Sequence, residues 1–403
     1  MADELPNTGY TTEWILKTLG ENNSKFLTAL GKNKICNVTA VDISNGKGML
    51  SRVFRIVIEF SNSTSYSFIL KAPTMDCLDK EMKNMNMDEE SLESFKRLFE
   101  SAHNRECEAY NLIKSVPNFP KAEVYHVEYQ SEAQPGALFL EDLTGKATPL
   151  GRFRSVTTQQ YLNVAKHFGV FQAYMNSVDG WRGKFVENIH TNEEALQEFP
   201  KFMRQLAEKR PGLKERIERL LSADYTSLTI YALKTLPTKY NTTVLCHGDA
   251  WANNMMFKTA GDGSITDEIL AVIDWQLICE ASPCLDLARF ITVCADAEVR
   301  REVEQKAVDL LYDTFCEECE KVGKKVEYTR EQAHELYDYA FLTQICATLG
   351  VAFFISITNL EKVPDSVHKA QCEKLSLRAE LGLEEAFELM DKYNIVERFP
   401  KKN

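Results

Sequence analysis

The chain has few cysteines and no excess of positive charge. Eleven cysteines among 403 residues fall well below the density of a disulfide-stapled domain, and their number is odd. The 47 basic residues are outnumbered by 59 acidic ones, and this balance, a net charge of −12, argues against a nucleic-acid-binding surface. The first ten residues lack the basic and apolar runs of a secretory signal. We therefore expect a cytoplasmic protein with free thiols and no nucleic-acid partner.

The chain has enough apolar material for a large core. Apolar residues make up 44% of the sequence and charged residues 26%, which is a normal globular composition. One apolar stretch, Phe341 to Leu360, is long enough to cross a membrane. It also contains Gln344, Asn359 and several hydroxyl side chains, which favour a buried core helix. We expect no membrane partner, and the sequence does not indicate an oligomeric state.

Hydrophobic periodicity divides the chain into two unequal parts. Short alternating runs joined by polar turns dominate the first third and predict an antiparallel sheet, whereas long helical patterns dominate from about Thr157. We predict an α+β, bilobal fold, with a small lobe of antiparallel sheet plus helix (residues 1–143) and a larger, mainly helical lobe (residues 144–403). The predicted small-lobe elements are strands at Val38–Ser44, Val53–Phe60, Ser65–Lys71, Ala122–Tyr129 and Ala137–Glu141, and a helix at about Ser91–Ser115.

The segment VLCHGDAWANNMMF, residues 244–257, is the sharpest sign of chemistry. An apolar strand runs into a loop that carries Asp249, and Asn254 follows just before the next strand. A second strand, Ile269 to Ile273, ends at Asp274. If the two later strands form a hairpin, Asn254 and Asp274 lie at the same end of it, beside the loop of Asp249.

This arrangement predicts a cluster of two carboxylates and an amide oxygen. Hard oxygen ligands suit Mg²⁺, which usually takes one or two protein carboxylates and completes its shell with water and phosphate oxygens. Phosphoryl transfer from a nucleotide needs such a set, because one carboxylate orients or deprotonates the attacking hydroxyl while other oxygens hold the metal. The single tripeptide His247-Gly248-Asp249 is weak evidence, and the prediction depends on the joint pattern.

The small lobe offers a second, independent sign. A kinase places a lysine on a strand near the nucleotide phosphates and holds it with a carboxylate from a helix. Lys71 ends a predicted strand, on the face opposite Phe68 and Leu70. Glu106 lies in the middle of an apolar helical stripe, so it must find a positive partner, become protonated or lie at the edge of the stripe. Lys71 is the expected partner.

A turn at residues 45–48 is the weakest part of the pattern. Gly46 and Gly48, followed by Ser51, fall short of a full G-x-G-x-x-G. Backbone N–H groups and the Ser51 hydroxyl could cap a phosphate, although an ordinary hairpin turn explains the same residues equally well.

Three segments together resemble the signature of a known superfamily. HGDAWANN, VIDWQ and PCLDLARF resemble the aminoglycoside-phosphotransferase and choline-kinase superfamily, and the nearer match is its ecdysteroid-kinase-like (CHK kinase-like) branch. The likeness runs from about residue 12 to 380 and includes LFLEDL at residues 138–143. It implies a protein-kinase-like fold with ATP and Mg²⁺ in the cleft between the lobes.

The resemblance also implies a role for each matching residue. Asp249 would be the catalytic base, Asn254 and Asp274 the metal ligands, and His247 and Asp286 structural residues that order the catalytic loop. Because no A-P-E segment is present, a small hydroxyl-bearing substrate is expected rather than a protein. The implied nucleotide-binding residues are Gly46, Gly48, Ser51, Lys71, Glu106 and the linker Phe139, Leu140, Glu141, Asp142 and Leu143.

The predicted function is ATP- and Mg²⁺-dependent phosphoryl transfer to a hydroxyl of an alcohol, sterol or xenobiotic conjugate. One alternative is a nucleotide-binding pseudokinase or interaction module without turnover. Another is a metallohydrolase that uses His247 and Asp249 as ligands, although none of the other histidines has ligand-type spacing. We expect the acceptor pocket to lie among the helices at about 157–235 and after 330. Trp251 and Trp275 either line that pocket or pack the loop.

Overall fold

An antiparallel sheet of five strands forms the first part of the protein. The computed structural model describes residues 4–44, 48–78, 93, 96–97, 99–186, 188–359 and 362–401. The strands lie in the order β1-β2-β3-β5-β4, and every neighbouring pair is antiparallel. These strands are β1 Ile35–Asp42, β2 Ser51–Phe60, β3 Ser65–Pro73, β4 Val124–Glu128 and β5 Ala137–Glu141.

The sheet has one apolar face because its strands alternate. In β2, the side chains of Phe54, Ile56 and Ile58 are buried together. Two N-terminal helices, α1 (Thr12–Asn22) and α2 (Ser24–Leu30), pack their apolar residues in the same cluster. A third helix, α3 (Ala102–Ile113), carries Glu106, which is the partner of Lys71 on β3. The apolar residues of α3 pack against the core of the helical part.

The second part of the described chain is mainly helical, with short strands around the loop of Asp249. The strands β6 (Ala147–Pro149), β8 (Met255–Thr259) and β9 (Ile265–Val272) form one antiparallel sheet, and β7 (Val244–Cys246) pairs with β10 (Cys279–Ala281). The helices are α4 Thr158–Ser177, α5 Glu193–Lys209, α6 Lys214–Leu220, α7 Tyr225–Ile230, α8 Leu236–Lys239, α9 Leu285–Cys294, α10 Ala297–Lys321, α11 Arg330–Ile357, α12 Asp365–Lys392 and α13 Ile395–Arg398.

These elements confirm the predicted α+β class and the predicted strands of the small sheet to within a few residues. The hairpin of β8 and β9 is also confirmed. Part of the predicted helix at about Ser91–Ser115 lies outside the described residues, and α3 is the part that the structure gives. The division at residues 143 and 144 stays a prediction, although it falls between β5, in the five-stranded sheet, and β6, in the other sheet.

The apolar stretch near residue 341 belongs to α11. This helix is long and apolar enough to cross a membrane by length and composition, and 78% of its most apolar window is buried inside the protein. Burial of that kind is typical of a core helix in a large soluble fold, which is the interpretation that its polar residues favoured.

Close packing of two long helices depends on a glycine. A Cβ at Gly169 of α4 would lie 2.8 Å from the Cβ of Thr314 and 3.0 Å from the carbonyl oxygen of Leu311, both on α10. Backbone cannot retreat as a flexible side chain can, so an added methyl group forces the two helices apart. The helices therefore have no space for a side chain at this position.

We expect Gly169→Ala to lower the free energy of unfolding by about 1–3 kcal/mol because it overpacks this contact. Gly20→Ala in α1 is the matched control, since the added Cβ meets nothing within 4 Å and alanine is favoured over glycine in a helix by about 0.5–1 kcal/mol. Urea unfolding followed by circular dichroism measures both. Equal shifts in the two variants would contradict the packing argument.

Candidate active site

The loop after β7 is held by one buried carboxylate. Asp286, in the first turn of α9, is fully buried. Its two oxygens accept hydrogen bonds from the backbone N–H groups of His247, at 2.7 Å, and Gly248, at 2.9 Å. Burial raises the pKa of Asp286, and the two N–H donors oppose that rise. This geometry matches the structural position that the sequence predicted for Asp286, although its role stays a prediction.

The imidazole of His247 is occupied by backbone on both sides. Its Nε2 lies 2.9 Å from the carbonyl oxygen of Ile273, and its Nδ1 lies 3.1 Å from the N–H of Asp249. Nδ1 must therefore accept and Nε2 must donate, which fixes one neutral tautomer. The ring also packs on the buried indole of Trp275, with centroids 4.5 Å apart. A metallohydrolase site is disfavoured because neither ring nitrogen is open to a metal.

Gly248 is required by its backbone conformation. Its φ is +81°, in the left-handed region that favours glycine. A Cβ there would lie 2.0 Å from the carbonyl oxygen of Leu277. The loop therefore turns tightly at this residue, just before Asp249.

The hairpin of β8 and β9 brings Asn254 and Asp274 to the same end, as predicted. Met255 is opposite Val272, and the N–H of Ile273 donates to the carbonyl oxygen of Asn254 at 2.9 Å. The amide nitrogen of Asn254 donates to the backbone oxygen of Asp249 at 3.0 Å and lies 3.4 Å from its Oδ2. The carbonyl oxygen Oδ1 of Asn254, which a metal would need, takes no part in these two bonds.

Lys71 lies between two carboxylates from distant parts of the chain. Its Nζ is 2.7 Å from Oε2 of Glu106 and 2.7 Å from Oδ1 of Asp274. Lys71 and Glu106 are buried, whereas the side chain of Asp274 is 28% exposed. Oε1 of Glu106 also accepts from the N–H of Trp275 at 3.3 Å. The predicted pair of Lys71 and Glu106 is present, and Asp274 joins it.

One cation shared by two carboxylates determines the charge of this cluster. Burial would lower the pKa of Lys71, but the charges of Asp274 and Glu106 outweigh it and raise the pKa. Burial is also the main reason why the pKa of Glu106 rises, to about 7, with Lys71 opposing the rise. Lys71 therefore stays positive, and burial makes Glu106 the more easily protonated of the two carboxylates.

The donor set fits a magnesium ion that is completed by phosphate oxygens. Asn254 offers an amide oxygen, and Asp274 offers the oxygen that Lys71 does not hold, so both donors are hard. No group of three or more His, Cys, Asp and Glu side chains with metal-site geometry occurs in the part of the chain that the structure describes. The two residues therefore fit Mg²⁺ with a nucleotide better than a metal site built from protein ligands alone.

The predicted phosphate turn is described only in part. Gly46 lies outside the described residues. A Cβ at Gly48 would lie 2.1 Å from the carbonyl oxygen of Ser51, so this position needs glycine for the close approach of the chain to itself. Ser51 is buried at the start of β2, opposite Pro73 of β3. The roles of these three residues in binding a nucleotide stay predictions.

Several backbone groups of the predicted linker are already hydrogen-bonded within the protein, so fewer of them could bind adenine. Phe139 and Leu140 lie inside β5, paired with β3 on one side and β4 on the other, and the N–H of Glu141 donates to the carbonyl of Glu123. Backbone groups that are hydrogen-bonded within a central strand cannot bind a ligand at the same time. The carbonyl of Leu143 likewise accepts the N–H groups of Lys146 and Ala147.

Asp142 lies just beyond the strand, and its side chain is engaged within the small lobe. Its Oδ2 accepts from Nε of Arg55 at 2.7 Å and from the hydroxyl of Ser67 at 2.6 Å. These bonds, with those from Thr144, outweigh partial burial and lower the pKa of Asp142 to about 2. Asp142 therefore anchors the end of β5 as an anion, and the binding role of the linker stays a prediction.

Arg289 was not among the predicted site residues. Its Nη2 donates to Oδ1 of Asp249 at 3.0 Å, and both side chains are mostly buried. Arg289 follows Asp286 by three residues, so the two side chains lie on the same face of α9. Asp286 accepts from the backbone of the loop, and Arg289 donates to Asp249. The spacing in DLARF was the available signal, but a single arginine on a helix indicates no partner.

His190 was also missed. Its Nε2 lies 2.6 Å from the carbonyl oxygen of Gly248, so it supports the loop of Asp249 from the opposite side to Asp286. Burial, followed by the charge of Arg289, lowers the pKa of His190 to about 4. The imidazole is therefore neutral at neutral pH, and Nε2 carries the proton that it donates.

The two tryptophans of the site differ in their surroundings. Trp275 is fully buried among Phe119, Phe171 and His247, so it packs the loop. Trp251 is partly buried, with the guanidinium of Arg152 over its ring at 5.2 Å. The packing interpretation therefore fits Trp275.

Comparison of the sequence with known families gives one match along most of the chain. A family model, DUF1679, described as "Uncharacterized oxidoreductase dhs-27", matches residues 21–394. The Caenorhabditis elegans protein named "Uncharacterized oxidoreductase dhs-27" is 25% identical over 373 residues, which are 89% of this chain and 43% of that protein. The chain thus spans less than half the length of this relative.

Comparison with solved structures gives kinases. Choline kinase from Cryptosporidium parvum Iowa II is 13% identical and superposes with a TM-score of 0.51 over 95% of this chain and 97% of its own. The ADP-bound aminoglycoside phosphotransferase APH(2'')-Ib is 15% identical, with a TM-score of 0.42 over 89% of this chain and 99% of its own. The likeness to choline kinase confirms the kinase-like fold. The ecdysteroid-kinase-like branch stays a prediction.

From the low pKa of His190 we predict how the free energy of unfolding changes below pH 7. An imidazole with an unfolded pKa of 6.5 and a folded pKa of about 4 binds its proton more weakly in the folded protein. Its contribution to stability is complete above pH 6.5 and is lost as the pH falls towards 4. We expect this loss to be about 3 kcal/mol between pH 7 and pH 4.

The variant His190→Gln isolates this contribution because glutamine can still donate a hydrogen bond but does not titrate. Urea unfolding at a series of pH values from 7 to 4 should show the parent protein losing stability relative to the variant. A difference between the two proteins that does not change with pH would show that His190 does not titrate in this way.

Proposed function

The chain belongs to the DUF1679 family, and from the geometry of Lys71, Asp249 and Asp274 we propose that it is an ATP- and Mg²⁺-dependent phosphotransferase. The acceptor would be a hydroxyl group of a small molecule. Choline kinase and APH(2'')-Ib, whose names describe small-molecule phosphotransferases, fit this proposal, although at their low identity they bear only on the fold. A cytoplasmic location fits such an enzyme and is part of the proposal.

One observation carries the proposal, namely the position of Lys71 between Glu106 and Asp274. A lysine on a central strand of the small sheet, held by a helix carboxylate, is the device that places a positive charge against nucleotide phosphates. Burial without partners would be costly for each of these charges, so the cluster is worth maintaining only if it serves a ligand or a specific fold. The nearby loop of Asp249 favours the ligand.

Asp249 is suited to orient an acceptor hydroxyl. Its Oδ1 is held by Arg289 and its Oδ2 lies beside the amide nitrogen of Asn254, so the carboxylate has a fixed direction. In the proposed reaction the acceptor oxygen bonds to the γ-phosphorus and the bond from that phosphorus to the β–γ bridging oxygen breaks. The hydroxyl proton passes to Asp249, and ADP leaves.

Asn254 and Asp274 would hold the magnesium ion. When bound, the ion would neutralise charge on the phosphate oxygens during transfer. The protein's own part is to fix the two donors through the hairpin and to keep Lys71 positive beside them. Glu106 has no direct part in this chemistry and positions Lys71.

A second function is supported by the pairing of Arg289 with Asp249. Arg289 occupies Oδ1 of Asp249 at 3.0 Å and so leaves fewer acceptor positions for a substrate hydroxyl, which suits a nucleotide-binding pseudokinase. The proposed enzyme tolerates this pairing if Asp249 acts mainly by orienting the hydroxyl, as in other phosphoryl transfers. Turnover of labelled ATP with hydroxylated compounds separates the two functions.

The name of the Caenorhabditis elegans relative points to a different reaction, but it belongs to a protein more than twice as long. Sheets that bind nicotinamide dinucleotides are mostly parallel and doubly wound. Each strand pair within the described residues is antiparallel. The described part of this chain therefore offers no support for a hydride-transfer site.

We expect Asp249→Asn to lower kcat for phosphoryl transfer by about 10²- to 10⁴-fold, because the amide cannot accept the hydroxyl proton. Binding of Mg–ATP should change little, since other residues hold the phosphates. Asp262→Asn makes the same chemical change on an exposed turn and serves as the control. Normal turnover in Asp249→Asn would refute the assignment of the base.

We expect Asp274→Ala to weaken Mg–ATP binding by about tenfold or more, a loss of at least about 1.4 kcal/mol, because a metal ligand is removed. Calorimetric titration with Mg²⁺ and with a chelator tests this. The chelator should weaken ATP binding in the parent protein and have little further effect in the variant. Identical titrations of parent and variant would remove Asp274 from the metal site.

A further inference from the structure

A cavity lies beside the loop of Asp249, on the side of the helical part. It is bounded by the loop before α5 and by α5, α7, α9 and α11. Of these helices, α5, α7 and α11 belong to the two regions where the sequence placed the acceptor pocket, and α9 lies outside both. Two of its wall residues also touch the loop. Arg289 donates to Asp249 at 3.0 Å, and His190 lies 2.6 Å from the carbonyl oxygen of Gly248. An occupant would therefore sit one side chain away from the proposed base.

The wall of the cavity is apolar and carries no negative charge among the described residues. Its main surface comes from aromatic and aliphatic side chains such as Phe199, Phe202 and Phe353. Arg289 is the single charged side chain that the described wall contains, since His190 is neutral at neutral pH. A cationic occupant would face a guanidinium and find no carboxylate in this wall, so the charge disfavours it.

Two of the residues that line the cavity each have a buried side-chain atom without a hydrogen-bond partner within the protein. These atoms are Nε of Arg289, a donor, and Oε1 of Gln344, an acceptor. Gln344 is only 2% exposed, and its amide nitrogen donates to the hydroxyl oxygen of Thr343. Buried polar atoms without partners are costly, so a ligand that supplies both a donor and an acceptor is favoured. A hydroxyl group is the smallest group that does so.

The size of the cavity limits the occupant further. Its volume is about 200 Å³. An apolar cavity of about 150 Å³ accommodates benzene, so this cavity accommodates one ring or two fused rings. A four-ring sterol skeleton exceeds this volume and would have to extend out of the cavity.

From these observations we infer that the cavity is the acceptor site and that the acceptor is a compact, uncharged alcohol or phenol with an apolar body. The inference rests on the proposed function, because only a transferase has an acceptor, and it narrows the range of substrates. It disfavours cationic acceptors, such as the choline of the choline kinases, on the ground of charge, and sterols on the ground of size.

Binding of 2-naphthol to the full chain tests this inference without nucleotide. The probe is compact and uncharged and has one hydroxyl group on two fused rings. Naphthalene, which lacks the hydroxyl, and choline, which is cationic, are the comparison ligands. We expect 2-naphthol to bind at a single site with higher affinity than naphthalene, and choline not to bind. In the presence of Mg–ATP, 2-naphthol should be phosphorylated on its oxygen.

Three variants locate the site. Ala347→Leu fills the cavity and should weaken 2-naphthol binding by about tenfold. Gly350→Ala is milder, because the added Cβ would lie 3.4 Å from the ring of Phe199, and it should weaken binding less. Gln344→Leu should weaken 2-naphthol binding but not that of naphthalene. Gly20→Ala, which adds the same methyl group in open space on α1, should leave all affinities unchanged.

Unchanged 2-naphthol affinity in both Ala347→Leu and Gly350→Ala, with both variants folded, would overturn the inference, and so would tighter binding of choline than of 2-naphthol. These outcomes are separate from failure of the proposed function. If Mg–ATP binds and Asp274→Ala weakens that binding as expected, only the cavity inference is lost. If 2-naphthol binds as expected but Mg–ATP does not, the cavity is a ligand site and the phosphotransferase proposal is wrong.

Discussion

The rest of the site depends on one buried cation that two carboxylates share. Lys71 comes from the small sheet and Glu106 from α3. Asp274 follows the hairpin of β8 and β9, more than 160 residues later. Removing one partner of a buried ion pair leaves a charge without compensation, which is costly. The three residues therefore fix the position of the small sheet relative to the catalytic loop, and they hold the ammonium group of Lys71 where phosphate oxygens would lie.

The backbone at Asp274 shows that this position is maintained against a local preference. Its φ is +66°, in the left-handed region that residues other than glycine seldom adopt. Such conformations cost on the order of 1 kcal/mol and are common at functional sites. Here the turn directs the carboxylate back towards Lys71 while Trp275, the next residue, enters the core. One oxygen of Asp274 binds Lys71, and the other is left for a ligand.

Local periodicity was enough to predict the residues that lie on regular elements. The apolar stripe around Glu106 indicated its inward direction, and the hairpin placed Asn254 beside Asp274. Arg289 and His190 escaped prediction because their contacts arise from tertiary packing of a helix and a loop on the catalytic segment. The linker illustrates another limit, since pairing of both edges of β5 is decided by strand order in the sheet, which short runs of sequence do not encode.

Arg289 connects the two halves of the proposed chemistry. One end of its guanidinium fixes Asp249, and its Nε, in the wall of the apolar cavity, has no partner within the protein. A hydroxyl that accepts a hydrogen bond from Nε would be held next to the carboxylate that is to receive its proton. The same positive charge repels a cation. A single side chain can therefore position the acceptor, orient the base and select against the wrong charge, because a rigid planar guanidinium donates in several fixed directions.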